Sequence, residues 1–76
     1  MQELLELLVK TLVKNENEVE VSKEEDEKAI TFFVKVASED IGRVIGKNGK
    51  MASSIRTIIK SIGAKERKKV FVKFGD

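Results

Sequence analysis

An α+β domain is the fold class this sequence predicts: helices on one face of a three-stranded mixed sheet, in the order α-β-β-α-α-β. Two periodicities predict it. Apolar residues recur at helical spacing across residues 4–13 and 51–62, and they alternate across residues 29–36 and 70–74. Each segment has one apolar side, and laying the helices on one face of a sheet buries all of them together. Length is the third observation. At 76 residues the chain makes one domain, residues 1–76, which buries only about 60% of its unfolded surface.

The first helix is predicted over residues 3–14, where Leu5, Leu8, Val9 and Leu12 form a stripe that Leu4, Leu7 and Val13 widen. Asn15 and Asn17 are its stop residues, since Asn tolerates left-handed backbone. Val19 and Val21 alternate with Glu18, Glu20 and Ser22 as a short strand, and Lys23 to Lys28 reads as a charged turn. The clearest strand is Ala29 to Val36, with Ile30, Phe32, Val34 and Val36 on one face. Ser38 is placed to cap the next helix, and Glu39 and Asp40 fall in its first turn, where the helix dipole favours acids. Gly46-Lys47-Asn48-Gly49 breaks that helix. Lys50 opens another, with Met51, Ile55, Ile58, Ile59 and Ile62 as its stripe and Gly63 as its stop. A basic turn, Lys65 to Lys69, leads into the last strand, where Val70, Val72 and Phe74 point inward. The first two strands form a hairpin, and the helical crossover gives the second and third a parallel pairing.

Composition narrows the function. The chain has no cysteine, histidine, tryptophan, tyrosine or proline. Disulfides, thiolate ligands, most zinc sites and the Ser-His and Cys-His dyads are therefore excluded, and with them most enzyme chemistry. No cofactor is implied. Charge is divided along the chain: residues 1–40 hold five lysines against eleven acids, a net of −6, whereas residues 41–76 hold ten Lys and Arg against two acids, a net of +8. Such polarity offers a basic face to a polyanion, unless the halves interleave in space and their fields cancel. Glu6, Lys10 and Lys14 interrupt the first apolar run well short of the ~20 residues of a membrane span, and the N-terminus has no positive n-region. The expected location is the cytoplasm, away from membranes.

The segment Ile41-Gly42-Arg43-Val44-Ile45-Gly46-Lys47-Asn48-Gly49-Lys50 carries the functional signal. It is no P-loop: only three residues separate Gly42 from Gly46, and Asn48 stands where Ser or Thr is needed. A dinucleotide fingerprint fails as well, because Val44 occupies its second glycine. What remains is Val-Ile-Gly-x-x-Gly between two helices. With Asp40 before it and Ala52, Ile55 and Arg56 after it, this resembles the KH domain, whose GXXG loop clamps the backbone of about four nucleotides. The element order is that of the type II KH fold, and the whole chain looks like the small bacterial KhpA-type KH proteins. The resemblance implies RNA binding, a chaperone-like or regulatory role, and work beside a second KH protein of the KhpB (Jag) type or as a homodimer.

The residues suit that chemistry. Gly46 and Gly49 let backbone approach a phosphate, and the helix opening at Gly49 and Lys50 points unpaired N–H groups at an anion. Lys47 and Lys50 add mobile charge, while Asn48 accepts left-handed backbone and offers an amide. Arg43 and Arg56 flank the loop, within reach of sugar or phosphate. The resemblance makes Ile41, Val44 and Ile45 an aliphatic floor for bases, although core packing competes for them. The acidic run Glu24 to Glu27 reads as a solvated hairpin loop or, at the border of a KH cleft, as a source of repulsion. Phe33 and Phe71 point away from the helices, either as a partner surface or as a pair shielded by the Lys35 and Lys73 stems. Two further readings stay open: a protein-interaction module with secondary nucleic-acid binding, and a DNA-backbone reader of the helix-hairpin-helix kind.

Overall fold

The computed structural model describes residues 1–75. Helix α1 (Gln2–Leu12) leads through a 3-10 turn (Glu16–Glu18) into strands β1 (Glu20–Glu25) and β2 (Ala29–Lys35). A second 3-10 turn (Ser38–Asp40), helix α2 (Ile41–Ile45), the turn Lys47–Gly49, helix α3 (Lys50–Lys65) and strand β3 (Lys69–Gly75) complete the order. The sheet runs β1-β2-β3, antiparallel between β1 and β2 and parallel between β2 and β3. That is the predicted mixed sheet.

One apolar cluster joins the sheet to the helices. Ile30, Phe32 and Val34 of β2, Val36 beyond it, and Val70 and Val72 of β3 are buried with Leu5 and Val9 of α1, Val44 of α2, and Ile55 and Ile59 of α3. The opposite face of the sheet carries the exposed residues of the same alternation, Phe33 and Phe71 among them. All helices therefore lie on one side.

Several local expectations change in three dimensions. Leu7 of α1 and Met51 and Ile58 of α3 are exposed, so both apolar stripes are narrower than their sequences. The face α3 turns to the sheet is Ala52, Ile55, Ile59 and Gly63, whose small end residues let helix and strand approach. Gly63 is accordingly no stop signal. A Cβ there would stand 2.1 Å from Val70 Cγ2, and the helix continues to Lys65. It ends at Arg67, which takes the left-handed conformation (φ 60). Lys68 N–H then bonds Gly63 O (3.2 Å) and Arg67 N–H bonds Ala64 O (3.1 Å), the paired bonds of a Schellman terminus.

The predicted charged turn is shorter than expected, because Lys23, Glu24 and Glu25 belong to β1. Charged side chains suit an edge strand, where they blunt pairing with other chains. Asp26 makes the turn itself: its carboxylate accepts from Lys28 N and Ala29 N, both at 2.8 Å. Ser38 caps nothing with its side chain, and the acid beside it has a different task, described next.

Candidate nucleic-acid interface

The glycine loop joins α2 to α3, and three of its residues have positive φ. Gly46 (φ 75, ψ 175) lies in a region open in practice only to glycine. Asn48 (φ 57, ψ 26) takes the left-handed conformation expected of it, and Gly49 (φ 74) is the N-cap of α3. Space separates the two glycines. A Cβ on Gly46 would stand 2.6 Å from Met51 Cβ and 2.9 Å from Met51 N, whereas a Cβ on Gly49 would meet nothing within 4 Å. The backbone of Gly46 thus lies directly against the first turn of α3. Gly49 has no side chain to cap that turn, and the Lys50 N–H donates to Lys47 O within the loop.

Lys47, Asn48 and Lys50 are exposed around the loop. Among the described residues no carboxylate pairs with either lysine, so their charge is available. Gly42 and Arg43 are also exposed on α2, and Ile41 and Ile45 are half-buried. Val44 does not belong to the interface. It is fully buried in the core, because its position on α2 faces the sheet and the two isoleucines beside it take the rim. Of the three aliphatic residues expected at the floor, Ile41 and Ile45 alone keep exposed surface.

Behind the loop stands a residue whose role the local sequence concealed. Asp40 is completely buried, and its carboxylate accepts from Lys14 N (3.0 Å), Asn15 N (2.9 Å) and Asn15 Nδ2 (2.9 Å). Arg43 Nη1 approaches the same carboxylate at 3.2 Å. Burial pushes the Asp40 pKa up, but the N–H donors of Lys14 and Asn15, the Asn15 amide and the Arg43 charge outweigh it, and the net displacement is downward. Asp40 thereby ties the end of α1 to the start of α2 and steadies Arg43. Asn15, expected as a helix stop, is its partner.

Arg56 sits apart from the loop. Its Nε donates to Val72 O (3.0 Å), and its guanidinium lies 5.3 Å from the Phe74 ring centre, so it bridges α3 to β3. The acidic hairpin is farther still. Its turn adjoins the start of β3, where Lys69 N bonds Lys28 O and Lys68 contacts Glu25, at the end of α3 opposite the loop. A helix of 16 residues spans about 24 Å. Repulsion of a strand at the loop by Glu24 to Glu27 is therefore not supported. Glu25 is also compensated, since hydrogen bonds from Lys68 and Lys23 hold its pKa below the ordinary value.

Phe33 and Phe71 share the open sheet face but are not directly opposite. Phe33 pairs with Lys73, whose Nζ lies 5.6 Å from the ring centre, and Phe71 pairs with Thr31. The shield covers Phe33 alone. Phe71 keeps 46% of its surface exposed.

Residues 2–74 match the family described as KhpA/KhpB, KH domain. A Clostridium acetobutylicum protein named RNA-binding protein KhpA is 49% identical over 72 residues, covering 95% of this chain and 96% of its own. Proteins of the same name from Caldanaerobacter subterraneus and Listeria monocytogenes are 44% and 41% identical over 72 and 70 residues, with 95% and 92% of this chain covered and 96% and 92% of their own. No solved structure matches the chain. No helix among the described residues is long and apolar enough to cross a membrane.

Proposed function

The chain belongs to the KhpA/KhpB family of KH domains, and on that premise we propose that it is a non-enzymatic RNA-binding protein of the bacterial cytoplasm. In this reading a phosphate of single-stranded or structured RNA sits on the Gly46–Gly49 loop at the start of α3. Lys47, Lys50 and Arg43 supply charge, Asn48 supplies an amide, and Ile41 and Ile45 supply apolar contact beside the loop. The role is that of an RNA chaperone or post-transcriptional regulator. The observation that carries the reading is the backbone of the loop: Gly46 packed against the first turn of α3, and a helix start without a side-chain cap between two lysines that no carboxylate pairs among the described residues.

The test replaces the charge and keeps the conformation. Asp tolerates left-handed backbone much as Asn does, so the double variant Lys47→Asp, Asn48→Asp should fold with a thermal midpoint close to the parent's. Its affinity for single-stranded RNA should fall at least about tenfold, roughly 1.4 kcal/mol. For the parent chain, contact with about three phosphates gives a slope near −2 of log affinity against log salt. A folded double variant that binds as tightly as the parent removes the loop from the site. A flat salt series removes the electrostatic mechanism.

A second reading concerns protein partners and rests on the open sheet face. Exposed Phe71 and Phe33 lie between the acids of β1 and the lysines of β3, a surface complementary to a second KH domain of the same kind. Such pairing would strengthen the weak binding of one small RNA footprint by multivalency.

A further inference from the structure

We propose that Asn48 is a self-modification site: the Gly49 backbone nitrogen attacks the Asn48 side-chain amide, converts it to a carboxylate and so closes the loop to RNA. The chemistry stands on the loop itself, and its consequence for binding rests on the RNA-binding reading. The chain holds three asparagines, and Asn48 alone precedes a glycine. Asn15 and Asn17 precede Glu16 and Glu18, whose side chains crowd the approach to their own backbone nitrogens. Gly49 has no such obstruction, and the space a Cβ would fill there is empty to 4 Å. The amides differ too. That of Asn15 is tied to Asp40 at 2.9 Å, whereas Asn48 is exposed and its amide has no hydrogen-bond partner among the described residues.

The backbone is one peptide flip from the reactive arrangement. Asn48 (φ 57, ψ 26) and Gly49 (φ 74, ψ 10) have the dihedrals of a type I′ turn, closed by Lys50 N–H on Lys47 O. Turning the Asn48–Gly49 peptide plane gives a type II′ turn, with Asn48 at φ about +60 and ψ about −120. That ψ brings Gly49 N against Asn48 Cγ, and it is the ψ of the five-membered succinimide ring that the attack closes. The Lys47–Lys50 bond survives, because both turn types close through the same pair. The flip gives up only the bond from Gly49 N to Gly46 O, which at 3.2 Å lies at the long end of the N–H···O range.

Charge favours the step. The attacking nitrogen sheds its proton, and negative charge develops on the Asn48 amide oxygen as the N–Cγ bond forms. Lys47 and Lys50 stand on either side of the pair without a carboxylate partner among the described residues, and α3 presents the positive end of its dipole there. The field that holds a phosphate thus also stabilises the anion of this reaction. The Cγ–Nδ2 bond then breaks, and ammonia leaves with the proton taken from Gly49 N. Water opens the ring at either carbonyl, leaving aspartate at position 48 or, with the chain rerouted through the side chain, isoaspartate. Either product puts a carboxylate between the two lysines. A bound phosphate opposes the reaction, since it occupies the positive field and holds the loop unflipped.

The experiment ages the full chain at mildly alkaline pH, alone and with saturating oligouridine, and follows all three asparagines by peptide mass spectrometry. In the folded chain Asn48 should convert at least about tenfold faster than Asn15 or Asn17. Enzymatic methylation should detect isoaspartate at that position, and oligouridine should slow the conversion. The aged chain should bind oligouridine at least about threefold more weakly than the fresh one. Asn48→Gly suits the same positive φ and has no amide to lose, so it should keep its initial affinity on ageing. Conversion of Asn48 no faster than that of Asn15 and Asn17 overturns the proposal, as does an equal loss of affinity in aged Asn48→Gly. Oligouridine that binds the fresh chain without slowing conversion overturns the link between reaction and ligand. A fresh chain that binds no oligouridine at low salt overturns the RNA-binding reading instead, and the relative rates at the three asparagines still decide the modification.

Discussion

Gly46 and Gly49 occupy the same loop with nearly the same φ, yet they answer to different constraints. At Gly49 the only obstacle to a side chain is the left-handed backbone, which disfavours an L residue by roughly 1–2 kcal/mol. At Gly46 an added Cβ also collides with Met51 backbone and Cβ, and its ψ of 175 takes it outside the region other residues visit. Gly49→Ala should therefore cost about 1 kcal/mol in urea denaturation. Gly46→Ala should cost more than about 2 kcal/mol and should lower RNA affinity further, because relief of the clash moves the loop off the first turn of α3. Equal costs at the two positions would mean that the loop is not packed against Met51. Asn48, the third left-handed residue, needs no such allowance, since its short polar side chain tolerates that conformation.

At the scale of elements, the start of α2, the helix that leads into the glycine loop, is anchored by a contact made 25 and 26 residues away in sequence, from Asp40 to Asn15 and Lys14. Its sign with pH follows from the lowered pKa. A carboxylate depressed in the folded state contributes stability that is present above its unfolded value near 3.9 and is lost as pH falls through the folded value. Asp40→Asn cannot accept from all three donors, so its thermal midpoint should lie several degrees below the parent's at neutral pH. The gap should narrow as acidification protonates the parent's own Asp40, below about pH 4. A gap that stays constant over that range would mean that the charge of Asp40 has no part in the anchor. The same contact marks where sequence reading stops. Strand identities, the hairpin, the parallel crossover and the left-handed Asn48 follow from periodicity and local conformational preference. The Asp40 staple is long-range, and a local rule could only place that acid in a helix's first turn. Gly63 and Arg67 mislead for a related reason: a glycine required by the closeness of Val70 sits where a helix stop is expected, and the actual stop is an arginine.

Across the whole molecule, the sheet order sets acid-rich β1 and basic β3 on opposite edges, with β2 between them. Among the described residues, the acidic and basic halves of the chain meet in two ion pairs, Arg43–Asp40 and Lys68–Glu25. On the open face the registers place Glu20, Ser22 and Glu24 on one edge, Thr31, Phe33 and Lys35 in the centre, and Lys69, Phe71 and Lys73 on the other. A two-fold axis parallel to the strands would lay β1 of each copy over β3 of its partner, carboxylates and lysines along the same flanks and Phe33 facing its own copy at the centre. Isologous pairing of this kind requires one self-complementary surface, for which this face offers an acidic edge and a basic edge. Sedimentation should accordingly show a concentration-dependent dimer that Phe33→Ser, Phe71→Ser reduces to monomer without moving the RNA affinity of the loop. Reversal of Glu20 and Glu24 to Lys should weaken the dimer, and reversal of Lys69 and Lys73 to Glu in the same chain should restore it. Rescue of that kind separates a specific charge match from general stickiness of two exposed aromatic rings. A parent chain that remains monomeric at every concentration, or a dimer untouched by both serines, would assign this face to solvent.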